Sequence, residues 1–102
     1  MVIEWTDPAL DDLQAIRDYI GRDSPYYARR FLERVFDAAE HLQTHPQLGR
    51  LVSEADRPDV RELVYQGYRI IYRISTDRIQ ILAVIHGSRD VAGAEAKPWD
   101  FD

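Results

Sequence analysis

The feature that most limits what this chain can become is the run from Val60 to His86, where apolar and polar side chains alternate with a period of two. VRELVY leads into Gln66-Gly67, YRIIYRIS into Thr76-Asp77, and RIQILAVIH closes the run. β-branched and aromatic residues fill each piece, so three strands joined by two tight turns, an antiparallel meander, are expected. If each turn has two residues, side chains directly opposite share a face, with Tyr65 against Tyr68 and Ser75 against Arg78. One face then collects Leu63, Tyr65, Tyr68, Ile70, Tyr72, Ile74, Ile79, Ile81, Ala83 and Ile85, which is apolar enough to be the core side. The other collects Val60, Glu62, Val64, Arg69, Ile71, Arg73, Gln80, Leu82, Val84 and His86. This second face is too apolar for water yet carries two arginines in its central strand. It reads as a partner-binding groove built on Val64, Arg69, Ile71, Arg73, Leu82 and Val84, the alternative being that a terminal segment, residues 97–101, folds back over it.

The residues upstream supply the layer that covers the core side. MVIEW is a short strand-favouring opening that stops at Thr6-Asp7-Pro8. Asp7 is expected to cap a helix with Pro8 at its first position, where the missing N–H costs nothing, and with Asp11 and Asp12 near its positive end. Ala9, Leu13, Ile16 and Ile20 form one apolar stripe, and Gly21 can end the helix. Ser24-Pro25 repeats the start signal for a second helix reaching about Thr44, with Ala28, Phe31, Leu32, Val35, Ala39 and Leu42 on one side. The pair makes a helical hairpin, and His45 to Asp59, with Pro46, Gly49 and Pro58, connects it to the sheet. The predicted architecture is α+β, in the order β-α-α-β-β-β: a short N-terminal strand and a helical hairpin packed on a three-stranded meander. Residues 1–91 form one domain and 92–102 a C-terminal tail.

Charge and composition exclude several classes of function. With 102 residues the chain can bury one core. No signal peptide is visible and no stretch reaches the roughly 18 apolar residues of a membrane span, so a soluble, cytoplasmic chain without membrane contact is expected. Cysteine is absent, and His41, His45 and His86 show no metal-binding spacing, so neither a metal nor another cofactor is expected. Net charge is −5: residues 1–48 carry five basic and nine acidic side chains, residues 49–89 seven and five, and the tail one and four. A broad nucleic-acid coat needs a larger basic face than this, and no sequence-specific DNA binding is expected.

SPYYARRF, HPQLGR, VRELVYQGYRIIYRI and IHGSRD, in this order and at this spacing, resemble the ParE/RelE family of toxins from Met1 to about Val91. The resemblance implies a toxin of a type II toxin-antitoxin pair, made beside a ParD-like antitoxin with a ribbon-helix-helix start that binds operator DNA and an acidic, amphipathic end that folds on the toxin. Activities divide within the family. Its RelE-like members cut mRNA on the ribosome, which requires cations for the developing charge and a group that moves protons. Arg69 and Arg89 match arginine positions of those nucleases, and His86 or Glu95 would complete a site. The remainder departs from the nuclease pattern: Glu54, Asp56, Asp59 and Glu62 stand where a lysine pair is expected, and DVAGAEAK lacks the expected tyrosine. The ParE-like branch is therefore favoured, with no catalytic residue expected and DNA gyrase as the target. Arg89, Trp99 and Phe101 are the candidates for target contact. A nuclease, or a relative without toxicity that acts only in a repressor complex, is the alternative.

Overall fold

A computed structural model describes residues 1–100. The elements are β1 (Val2–Trp5), α1 (Asp7–Gly21), α2 (Pro25–Glu40), a 3₁₀ turn (His41–Gln43), β2 (Arg50–Leu51), β3 (Val60–Tyr65), β4 (Tyr68–Ile74) and β5 (Arg78–His86). The strands form one sheet in the order β1-β5-β4-β3-β2. The meander is antiparallel as expected, while β1 joins it parallel to β5. No helix among the described residues is long and apolar enough to cross a membrane.

Local chemistry accounts for most boundaries. Gln66 and Gly67 both have positive φ, at 53° and 80°, which is the turn whose twist matches a hairpin, and the expected pairing of Tyr65 with Tyr68 follows from it. Ser24 caps α2 by accepting from the Tyr27 N–H. The cap of α1 is Thr6, not Asp7: its hydroxyl accepts from the Ala9 N–H, and Asp7 is the first helical residue. Thr6 is the better placed because the same hydroxyl donates to the Ile81 carbonyl at 2.8 Å, pinning the start of the helix to β5. The sequence pattern does not reveal β2. Its two residues pair with Glu62 and Arg61 and make it a short edge strand.

The helical hairpin covers one face of the sheet. Leu13, Ile16, Phe31, Val35 and Leu42 pack there against Ile70, Tyr72, Ile79, Ile81 and Val84. Tyr72 is wholly buried, and its hydroxyl donates to the Pro46 carbonyl and accepts from the Gly49 N–H, so it anchors the connection between the two halves. Gly49 has no room for a side chain, since a Cβ would lie 2.7 Å from the Tyr72 oxygen. A second apolar cluster of Val52, Val60, Ile71, Leu82, Ala83, Ile85, Val91 and Trp99 lies on the opposite face. Trp99, 4% exposed, brings the tail over that face, so the segment expected as the alternative occupant is the one found there.

The expected register fails at one place. Tyr72 pairs with Ile81 and Ile71 with Ala83, leaving Leu82 as an extra residue, and from there on β5 exchanges its faces. Ala83 and Ile85, expected toward the helices, lie on the tail side with Leu82. Val84, expected in the groove, is in the helix-side core, and His86 stands opposite Tyr68 with its ring edge-on to that tyrosine. The physical reason is the end of β1: beyond Trp5 the outer edge of β5 has no strand beside it. The start of α1 replaces the strand, with Thr6 taking the carbonyl of Ile81 and the Asp12 carboxylate accepting from the Val84 N–H at 3.0 Å.

Candidate functional site

The tail-side face is held by a lattice of opposite charges. From β4, Arg69 and Arg73 point to it. The connection before β3 supplies Glu54 and Asp59, and β3 supplies Glu62. Glu62, 4% exposed, accepts from the Nε of Arg69 and from the Nε of Arg50 at 2.8 Å. Both terminal nitrogens of Arg69 donate to the two oxygens of Glu54, each at 2.9 Å. Asp59 accepts from Arg57 at 2.9 Å and from Arg73 at 3.2 Å. Arg69 holds the Glu54 carboxyl below its ordinary range, and Arg57, seconded by Arg73, does the same for Asp59. These arginines are committed to internal carboxylates. Using Arg69 to stabilise a charge on a substrate would leave buried Glu62 with Arg50 alone.

The expected groove is thus differently composed. Val64 is exposed at the rim, Arg69 and Arg73 are in the ion-pair lattice, Ile71 and Leu82 are buried within the cluster that includes Trp99, and Val84 is on the other side of the sheet. The nuclease candidates are not brought to one place either. Arg69 lies under Glu54, while His86 is on the helix side of the sheet, where its Nδ1 is 2.6 Å from the Ser88 hydroxyl. Glu95 is exposed in the tail, and Arg89 stands by the first turns of α1.

Arg89 borders a cavity of about 460 Å³ between the start of α1, the end of β5 and the tail. Pro8, Leu82, Ile85, Val91 and Pro98 give it apolar walls, and Asp12 gives it one half-buried carboxylate. Burial raises the Asp12 carboxyl above its ordinary value, against the opposing pull of the Val84 N–H and the Arg89 charge. The Arg57 guanidinium donates to the Trp99 carbonyl at 3.3 Å and ties the tail to the body. Such a site can take an apolar side chain with a cation at its mouth. Of the candidates for target contact, Arg89 is exposed at this mouth, Trp99 is buried in the apolar cluster between the tail and the sheet, and Phe101 lies outside the described residues. Asp12 and Glu54 organise both regions and were not marked by the sequence pattern, because their partners are 72 and 15 residues away. No group of three His, Asp or Glu side chains is arranged for a metal among the described residues.

A family model described as ParE toxin of type II toxin-antitoxin system, parDE, matches residues 3–91. The protein named Toxin RelE2 from Caulobacter vibrioides is 40% identical over 88 residues, covering 85% of this chain and 96% of that one. Putative toxin Y4kP from Sinorhizobium fredii is also 40% identical, over 86 residues, covering 82% and 85%. Among solved structures, a chromosomal ParDE toxin-antitoxin system from P. aeruginosa aligns with a TM-score of 0.69 at 27% identity, covering 84% of this chain and 95% of that one. The toxin-antitoxin complex RelBE2 from Mycobacterium tuberculosis shares the fold, with a TM-score of 0.56 at 22% identity over 83% of this chain and 95% of that one.

Proposed function

Since the chain belongs to the ParE/RelE family of toxins of type II toxin-antitoxin systems, we propose that it arrests growth by binding DNA gyrase through protein contact and is neutralised by a ParD-like antitoxin. The observation that carries this reading over ribosome-dependent RNA cleavage is the state of Arg69. The central cation that a nuclease would need is fully engaged by Glu54 and Glu62, and His86, Arg89 and Glu95 stand apart from it. A phosphoryl transfer needs its cation and its proton carrier within reach of one phosphate. Inhibition by contact needs only an accessible recognition surface, and the apolar cavity beside exposed Arg89 is suited to that. The action belongs in the cytoplasm, where both gyrase and the antitoxin are made. Mapping RNA 5′ ends shortly after induction tests the choice: an unchanged pattern of ends during growth arrest is expected, and codon-phased cuts inside translated messages would overturn the reading.

A further inference from the structure

The cavity at the start of α1 carries charges that contact with a target does not use. Two acids and two bases border it, Asp12, Asp100, Arg89 and Lys97. The tail engages one of each for its own turns: the Lys97 Nζ donates to the Ala94 carbonyl at 3.1 Å, and the Asp100 carboxylate accepts from the Lys97 N–H at 3.3 Å. Asp12 and Arg89 are left over. Asp12 follows Ala9 by three residues and precedes Ile16 by four, so the helix turns it inward beside them, toward β5. Among the described residues, its Oδ2 accepts from the Val84 N–H, its Oδ1 accepts from nothing, and the Arg89 side chain has no hydrogen bond. The Arg89 charge reaches the Asp12 carboxyl without bonding to it, so a third group can stand between the two. Beside them Leu82, Ile85, Val91 and Pro98 wall an apolar volume of about 460 Å³, which is of small-ligand size.

We propose that this cavity binds a free apolar α-amino acid, with the side chain against the apolar walls, the ammonium group on the Asp12 carboxylate and the carboxylate on the Arg89 guanidinium. Charge balance selects the zwitterion. A ligand with a cation alone would satisfy Asp12 but bring its charge up to Arg89, and one with an anion alone would do the reverse. An uncharged apolar molecule would cover Asp12 and leave its Oδ1 without a donor, which is costly for a half-buried carboxylate. An amino acid carries its ammonium and carboxylate on one carbon, so a donor for Asp12 and an acceptor for Arg89 arrive together and each bond is charge-assisted. An occupied cavity also excludes the target contact proposed above. That consequence rests on the contact reading, whereas the binding itself does not.

The test uses the full chain and follows its backbone amide NMR signals as L-phenylalanine, 3-phenylpropanoate or 2-phenylethylamine is added. The second and third compounds are the first without its ammonium and without its carboxylate. L-phenylalanine is expected to shift the Val84 and Val91 amide signals and to bind about tenfold more tightly than either truncated form, which is the worth of one charge-assisted hydrogen bond. Asp12→Asn should abolish its advantage over 3-phenylpropanoate, and Arg89→Ala its advantage over 2-phenylethylamine. Unchanged amide signals in β3 and β4 establish that both variants are folded. Equal affinity for all three compounds would reduce the cavity to an unselective apolar site and overturn the proposal. Tightest binding by a truncated form would overturn it too, as would the absence of any shift at these two amides with millimolar L-phenylalanine. Gyrase is absent from this titration and the amino acid from the supercoiling assay, so failure of either reading leaves the other standing.

Discussion

Arg69 and Glu62 are both nearly closed off from water and share one hydrogen bond, with Glu54 completing the partners of the arginine and Arg50 those of the glutamate. Removing one member of a buried pair leaves the other uncompensated, so Arg69→Ala is expected to lower unfolding stability by about 3 kcal/mol in urea titrations. A loss under 1 kcal/mol would mean that the arginine is free for an external partner. The double substitution Arg69→Met with Glu62→Met should recover much of the loss, because no buried charge then remains. The same lattice sets a pH dependence. Glu54 and Asp59 have folded-state pKa values below their ordinary ones, so their contribution is complete above the unfolded carboxylate value of about 4 and is lost as pH falls through the lower folded values. Asp12 has the opposite sign: burial raises its pKa, so ionising it costs stability as pH rises through the carboxylate range. Asp12→Asn keeps an acceptor for the Val84 N–H and should fold normally, whereas Asp12→Leu orphans that N–H and should cost about 1–3 kcal/mol by the same titration.

At the scale of elements, the bulge in β5 separates what could be read from the sequence from what could not. The two helices, the proline near the start of each, the Ser24 cap of α2, the Gln66-Gly67 turn and the pairing of β3 with β4 are local patterns, and each was legible in adjacent residues. The extra residue at Leu82 was not, because it is stabilised by Thr6 and Asp12, far away in sequence. Counting through β5 with a strict period of two therefore misplaced Ala83, Val84, Ile85 and His86, and the composition of the expected groove with them. The ion-pair lattice was half legible: the arginines and Glu62 were visible together on the mixed face, but Glu54 and Asp59, which also engage the arginines, come from an irregular connection without periodicity. The tail shows the same limit, since Trp99 in an acidic stretch fits either an inward or an outward placement until Val52, Val91 and Leu82 are seen around it. Trp99→Ala should cost about 3–5 kcal/mol if the cluster is as closed as its burial indicates, read as a lower urea midpoint. Stability equal to wild type would show that the tail does not cover the sheet in solution.

On the scale of the whole molecule, charge is sorted between the faces. The tail side has its arginines paired with acids, the helix side offers Arg30 and Arg34 beside an aromatic groove, and Arg89 stands at an apolar cavity where the two ends of the chain's fold meet. Arg89→Ala is expected to leave folding unchanged and to weaken growth arrest. Growth arrest as strong as that of wild type would remove Arg89 from the target surface. The central claim, arrest by contact with gyrase, is tested most directly by supercoiling and DNA cleavage with purified gyrase and the partner-free chain. The account predicts lost supercoiling and linear DNA that accumulates with dose. Unaltered supercoiling, with a folded chain that still binds its partner protein, would contradict it.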